Sequence, residues 1–485
     1  MITLINTNRM RPVVAPIGLD YVAGAAAATG LDVDVLDLAL ADDAADALRR
    51  HFQSHEPRLV GLSLRNADDC FWPGAAWFVP ALADTVRQVR RLTGAPVVLG
   101  GVGFSIFAAE VLEVTQADFG IRGDGEAALV ALMRELDGNG RFERVPGLIW
   151  RDANGVVRQN PPAWPDDLAV PAGRAHMDNA AYFRLGGQGA VETKRGCPRR
   201  CLCCADPLAK GPRARLRRPS EVADEVEALL RQGVNVLHLA DSEFNLPPEH
   251  ALAVCEEMAR RGLGRRVRWY AYLAVTPFDA ALARAMRKAG CAGIDFTADA
   301  ATEMMLATYG QPHRRDDLAQ AVRLCRDNGI AIMVDLLLGG PGETPESVAE
   351  TLAFLKSIEP DCVGAALGVR VYPGTAMAAW IEGQGPEVAH ASIRRRYDGP
   401  MDFFRPTFYM APALGDRPEA LVRDLIAGDE RFFEPAGEAA DDDVRGYNYN
   451  ENTPLVEAIA RGARGAYWDI LRRMRKGDLE SGRSA

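Results

Sequence analysis

Four of the nine cysteines, Cys197, Cys201, Cys203 and Cys204, fall within eight residues. In a chain of 485 residues whose first segment reads as a strand rather than an export signal, such crowding is not a disulfide framework. It is a ligand set. Cys197, Cys201 and Cys204 carry the spacing Cys-x3-Cys-x2-Cys, which passes over Cys203. Three thiolates so spaced can hold three irons of a four-iron cluster and leave the fourth open to a substrate or cofactor. Structural zinc would want four closed ligands, usually as two separated pairs, and neither a second pair nor a histidine stands nearby. The other five cysteines, Cys70, Cys255, Cys291, Cys325 and Cys362, are scattered singly and read as small core side chains.

The pattern around the motif is strand–helix alternation. Thr3–Asn6, Asp32–Leu36, Leu59–Leu64, Ala95–Leu99 and Phe119–Ile121 are short apolar runs with helical spacing between them, and Gly30 ends the first helix. This predicts an α/β, mostly parallel, doubly wound sheet over residues 1–140, with ligands bound outside the strands' carboxyl ends. Those ends carry Asn6–Pro12, Arg65-Asn66, Gly100-Gly101-Val102-Gly103 and Gly123-Asp124-Gly125-Glu126. A hairpin around Asn154-Gly155 and a proline-rich linker, Pro161–Pro165, fill residues 141–189.

Alternation resumes at Ala190–Thr193, the strand that feeds the cysteine loop. It continues through Asn235–Ala240, Val267–Leu273, Gly293–Thr297, Ile330–Leu338 and Val363–Val371, with Ser220 expected to cap the first helix. Six strand–helix units within residues 190–378 predict a partial (βα)6 barrel rather than a closed eight-stranded one. Residues 379–485 break into Pro/aromatic segments, an acidic patch at 438–443 and an expected final helix near Pro454–Met474, and are expected to close over the barrel mouth and help form the substrate pocket.

Lys+Arg 56 against Asp+Glu 66 leaves a formal charge of −10, which makes nucleic acid a poor partner. No apolar run approaches the ~20 residues of a membrane span. A cytoplasmic protein is expected.

The cysteine motif and the strand ends after it resemble the radical S-adenosylmethionine enzymes. Asp241-Ser242-Glu243 ends the second barrel strand, where that family contacts the methionyl group, which implies roles for Asp241 and Glu243. Leu338-Gly339-Gly340-Pro341-Gly342-Glu343-Thr344 ends the fifth and resembles the family's Gly-x-Pro-Gly-Glu-Thr signature. Arg370-Val371-Tyr372-Pro373-Gly374-Thr375 resembles its Arg-x-Tyr-Pro-Gly-Thr signature, which places Arg370 and Tyr372 near adenine. Two departures stand out. Cys203 replaces the usual aromatic residue before the third ligand, and Phe296–Ala300 replaces Phe-Gly-x-Glu-Ser, leaving Asp299 to accept from a ribose hydroxyl or only from water.

The first 140 residues resemble the cobalamin-binding domain that precedes the barrel in one large subgroup. Gly100, Gly101, Gly103 and Phe104, with Gly123, Gly125 and Glu126, match its pattern. Corrinoid domains that ligate cobalt do so through Asp-x-His-x-x-Gly after the first strand. Here that loop is Thr7-Asn8-Arg9-Met10-Arg11-Pro12, without histidine. Ser63-Leu64-Arg65 stands where such domains approach the corrin's lower face. Arg65 there is a cation that cannot ligate cobalt and would promote methyl donation, or it is an ordinary paired loop arginine.

The resemblance implies three cofactors: a [4Fe-4S] cluster, S-adenosylmethionine and cobalamin. It implies methyl transfer to a carbon of a small-molecule or peptide substrate, with electrons from an external donor such as flavodoxin or ferredoxin. Rivals are ring closure or contraction without methyl transfer, and a corrinoid or cluster-binding protein without turnover. Methylthio transfer would need a second cysteine triad, which the sequence lacks.

Overall fold

The computed structural model describes residues 1–168, 170–171, 173–385, 391–435 and 444–478; the acidic patch at 438–443 lies outside them. Ile2–Asn6 (β1) is buried along its whole length, as a central strand covered on both faces must be. It pairs in parallel with Val33–Asp37 (β2) on one side and Leu59–Ser63 (β3) on the other. Val97–Gly100 (β4) and Phe119–Ile121 (β5) follow in parallel. The hairpin strands Leu148–Arg151 (β6) and Val157–Gln159 (β7) then continue this sheet antiparallel at its edge. The parallel order β2-β1-β3-β4-β5 reverses direction at β1/β3, and that switch point is where such sheets leave a crevice. The first helix, Ile17–Ala28, stops as expected: Gly30 takes φ +87°, and the Leu31 N–H returns to the Ala26 carbonyl at 3.4 Å.

The second sheet opens with Gly189–Val191 (β8). The chain then forms a two-stranded ribbon, Lys194–Arg195 (β9) with Arg215–Leu216 (β10), which pinches the base of the cysteine loop. Parallel strands follow in sequence order: Val236–Leu239 (β11), Arg268–Leu273 (β12), Cys291–Asp299 (β13), Ala331–Leu338 (β14) and Cys362–Leu367 (β15). These six strands form the expected partial barrel. The expected run Val363–Val371 is divided, because Gly368 takes φ +86° and turns the chain out of the sheet. Beyond it, Val369–Arg370 (β16), Ile393–Arg395 (β17) and Thr407–Tyr409 (β18) make a separate small sheet. Phe432–Phe433 (β19) adds a seventh parallel strand beside β15, too short to show a period in the sequence.

Three local expectations are corrected. The helix Pro219–Arg231 has Arg218 at its N-cap, so Ser220 lies inside the first turn. The expected final helix is two, Thr453–Ala460 and Tyr467–Arg475, separated by Gly462 at φ +106° and Gly465 at φ +146°. The second of these does not cover the barrel mouth. Trp468 and Leu471 join Tyr447 and Leu455 against Val236, Tyr270, Met333 and Cys362, closing the barrel's opposite end with apolar side chains.

The two sheets are locked together by buried polar groups. Arg174, in the linker, binds Asp20 at 2.6 Å and Glu225 at 2.9 Å, all three fully buried, and the Tyr21 hydroxyl donates to Glu225 at 2.7 Å. No helix among the described residues is long and apolar enough to cross a membrane.

Candidate active site

Two chambers meet between the domains. The first, about 460 Å³, lies over the switch point and runs down the sheet face as far as Leu4. Its floor is apolar, with Leu62, Leu99, Ile121 and Leu129. A β-carbon on Gly18 would meet nothing within 4 Å, and one on Gly100 only the Ile121 carbonyl at 4.0 Å. Barrel residues Ala190, Glu192, Arg195, Asp206 and Lys210 complete the wall. A long, mostly apolar slot with bare backbone on two sides suits the tail of a corrinoid. Among the residues lining it there is no histidine. The loop after β1 is folded onto its own sheet instead: the Thr7 hydroxyl donates to the Ser63 carbonyl at 2.7 Å.

Ser63, Arg65, Gly100, Gly101, Gly123, Gly125 and Glu126 line this chamber. Leu64 and Phe104 do not. Leu64 is a core residue, and the Phe104 ring sits under Gly120, where a β-carbon would stand 2.0 Å from it. Gly101 and Gly103 shape the loop that carries Arg65. Gly101 has φ +103°, and a β-carbon there would stand 2.4 Å from the Leu64 carbonyl oxygen. The Gly103 N–H donates to the Leu64 and Arg65 carbonyls, both at 3.0 Å. Glu126 and Asp124 are engaged by the barrel: Arg195 binds them at 3.0 and 3.2 Å, and Arg215 binds Asp124 again. This charged loop holds the domains together as well as walling the chamber.

The second chamber, about 480 Å³, lies at the barrel mouth. Cys197, Cys201 and Cys204 all line it, as does Cys203, whose side chain also packs on the barrel core. The ligand loop is fixed by backbone bonds: Cys197 N–H to the Gly211 carbonyl, Leu202 N–H to Tyr309, and Met377 N–H to Leu202. Among the described residues, these sulfurs form no group converging within 4.8 Å, the spacing a single ion would need. That spread does not suit one zinc, whereas the three ligands of a cuboidal cluster need not converge on a single ion. Burial raises all three thiols, Cys201 to about 11, so a thiolate here would need a bonded metal to form.

Glu243 faces the same space. Burial raises it to about 7 against a 2.6 Å bond from the Thr297 hydroxyl, and its second oxygen has no partner. An orphaned carboxylate oxygen beside the thiols suits the ammonium of a methionyl group. Asp299 sits at φ +61°, a costly conformation outside functional sites, and burial raises it to about 6 despite Gln311 donating at 2.6 Å. Gln311 also reaches the Cys201 sulfur at 3.9 Å and accepts from Arg199 at 3.0 Å. No motif pointed to this bridge from ligand loop to Asp299.

Other site residues are placed differently. Asp241 lines neither chamber; burial would raise it, but Lys194 at 2.8 Å and Thr193 hold it low. Arg370 borders the second chamber with its charge spent on Asp68 at 2.9 Å and on the carbonyls of Phe403 and Phe404. Cys70 is no core residue: its sulfur is exposed on the chamber, 2.9 Å from the Tyr372 hydroxyl. Replacing Arg370 by alanine strands Asp68 as a buried charge across the domain junction. A cost of about 3–5 kcal/mol is expected, read as a lower unfolding midpoint; Asp68→Asn, which keeps a polar partner for the guanidinium, should lose less.

Arg65 belongs to both chambers. Among the described residues its side chain makes no hydrogen bond or ion pair. Burial lowers its proton affinity, while Tyr467, Tyr272 and Cys70 act the other way; it remains a cation.

Residues 4–133 match the B12 binding domain family and residues 191–355 the radical SAM superfamily. The chain is 29% identical to the tryptophan 2-C-methyltransferase of Streptomyces laurentii, over 96% of this chain and 95% of that protein. The radical S-adenosylmethionine methyltransferase TsrM from Kitasatospora setae, solved with tryptophan substrate and an aza analogue of S-adenosylmethionine, superposes with a TM-score of 0.89. It is 30% identical over 98% of this chain and 99% of that one. The same enzyme with cobalamin and a [4Fe-4S] cluster bound gives 0.86 at 29% identity, over 99% of each chain. The chain therefore belongs to the cobalamin-dependent radical S-adenosylmethionine methyltransferases, enzymes that move a methyl group to carbon with cobalamin, a [4Fe-4S] cluster and S-adenosylmethionine as their cofactors.

Proposed function

We propose that the methyl acceptor is a carbon of an indole, in tryptophan or a close relative. The observation that carries this is likeness along the whole chain, both domains and the C-terminal segment included, to a tryptophan 2-C-methyltransferase. The residue roles follow from the two chambers. Cys197, Cys201 and Cys204 hold the cluster, Glu243 takes the methionyl ammonium, and Asp299, steadied by Gln311, accepts from a ribose hydroxyl. Gly100 and Gly101 would let a corrinoid approach the backbone, and Arg65 would offer its lower face a cation that cannot ligate cobalt. When bound, cobalamin supplies a methyl carrier between the sulfonium and the acceptor carbon. The protein's part is to hold donor and acceptor side by side where the two chambers meet, and to keep on the far side of the donor a positive charge that cannot become a ligand. In this reading an external one-electron donor of the flavodoxin or ferredoxin class keeps the cofactors reduced, and the reaction is cytoplasmic.

With cobalamin, reductant, tryptophan and methyl-labelled S-adenosylmethionine, the expected products are methyl-labelled tryptophan and S-adenosylhomocysteine. 5′-Deoxyadenosine in proportion to product assigns radical activation of the carbon; its absence assigns polar transfer. A product formed without label would replace methyl transfer by rearrangement. Failure of every indole to accept label would overturn the substrate assignment.

A further inference from the structure

One layer of the barrel interior has no part in the chemistry above. Inward-facing residues alternate along each strand. At the closed end, Val236, Tyr270, Met333 and Cys362 pack against Trp468 and Tyr447. There Gly293 admits the Trp468 ring, whose atoms lie 2.9 Å from where its β-carbon would be. At the mouth, Thr297 and Leu337 line the cluster chamber. Between the two levels, each two residues along its strand from the closed end, stand His238, Tyr272, Asp295 and Asp335. Parallel barrels ordinarily fill such a layer with branched aliphatic side chains.

This layer is polar and incompletely satisfied. Asp295 is 4% exposed, yet its Oδ1, the Oδ1 of Asp335 and the Tyr449 hydroxyl have no hydrogen-bond partner. Tyr272 is 38% exposed although it points into the barrel, so the layer borders open space. Burial raises both carboxyls, and the Asp335 charge raises Asp295 further; the two hydrogen-bond to each other, and Tyr447 bonds to Asp335. Such a pair shares one proton and keeps one negative charge. His238 does not offset it, since burial brings the imidazole down to about 4 and leaves it neutral. Among the described residues neither aspartate has a cationic partner. A buried charge with unfilled acceptor positions is costly until a ligand brings the cation.

We propose that Asp295, Asp335 and Tyr449 seat the ammonium group of the substrate, which is therefore a free amino acid or primary amine and not a residue within a peptide. The assignment rests on the indole reading for the rest of the substrate. From this layer a substrate held by its ammonium points toward the cluster chamber, which Thr297 and Leu337 line two residues further along the strands of Asp295 and Asp335.

Equilibrium dialysis of the cobalamin- and cluster-loaded enzyme tests this with tryptophan and with indole-3-propionate, which lacks only the ammonium. Tryptophan is expected to bind about tenfold tighter or more, the worth of a hydrogen bond to a charged group. Because the shared proton already cancels one charge, only the double variant Asp295→Asn/Asp335→Asn removes the site. It should lose the preference while keeping its cluster absorbance and its binding of indole-3-propionate. Equal binding of both ligands by the wild type, or an intact preference in the double variant, overturns the ammonium site and leaves the indole reading standing. Wild type that binds neither ligand overturns both. If the double variant loses its cluster, the wild-type comparison decides alone.

Discussion

Alanine at Cys197, Cys201 or Cys204 is expected to abolish both the cluster absorbance of anaerobically reconstituted enzyme and its methyl transfer, while Cys203→Ala retains both. All four thiols border the second chamber, so proximity does not separate them. Spacing and packing do. Cys203 is skipped by the ligand interval and spends part of its side chain on the barrel core, among Leu202 and its neighbours. Three ligands leave one iron open, and removing one more leaves a two-ligand fragment that cannot hold a cuboidal cluster. Iron counting with Mössbauer or electron paramagnetic resonance spectroscopy reads the result. A Cys203→Ala enzyme without cluster beside a Cys204→Ala enzyme with one would show that the register is wrong.

The second large effect is expected at Arg65. Cob(II)alamin bound to the wild type, with its dimethylbenzimidazole tail displaced, should show no nitrogen superhyperfine splitting, because no histidine borders the chamber and guanidinium has no lone pair to give. Arg65→His should introduce that splitting if position 65 lies below the corrin, and Arg65→Ala should slow methyl transfer by about 10²-fold, the scale of losing one preorganised charge. Cobalamin retention, read from the visible spectrum, separates this loss from loss of binding. Nitrogen splitting in the wild type, or none in Arg65→His with cobalamin still bound, would remove Arg65 from beneath the cobalt.

The main architecture was readable because its signals are local. Buried parallel strands such as Leu59–Ser63 are unbroken apolar runs, and Gly30 and the Cys-x3-Cys-x2-Cys interval act within a few positions. What escaped depends on contacts between distant segments. Cys70 looks like a core cysteine until the fold brings Tyr372, 302 residues away, against its sulfur. Arg370 sits in a motif that suggests adenine, but Asp68 from the other domain takes its charge. Asp295 and Asp335 did carry a local signal, a carboxylate inside a hydrophobic strand. Only the barrel's closure turns two such signals into a pair. Phe432–Phe433 has two residues and no period to detect.

The first chamber is walled by both domains: Leu4, Ser63 and Gly100 from the sheet of the first, Ala190, Glu192 and Lys210 from the barrel. A ligand that binds only the docked pair stabilises that pair in proportion to how far its concentration exceeds its dissociation constant. Cobalamin is then a clasp as well as a reagent. Starving cells of the vitamin would then cost them folded enzyme as well as turnover.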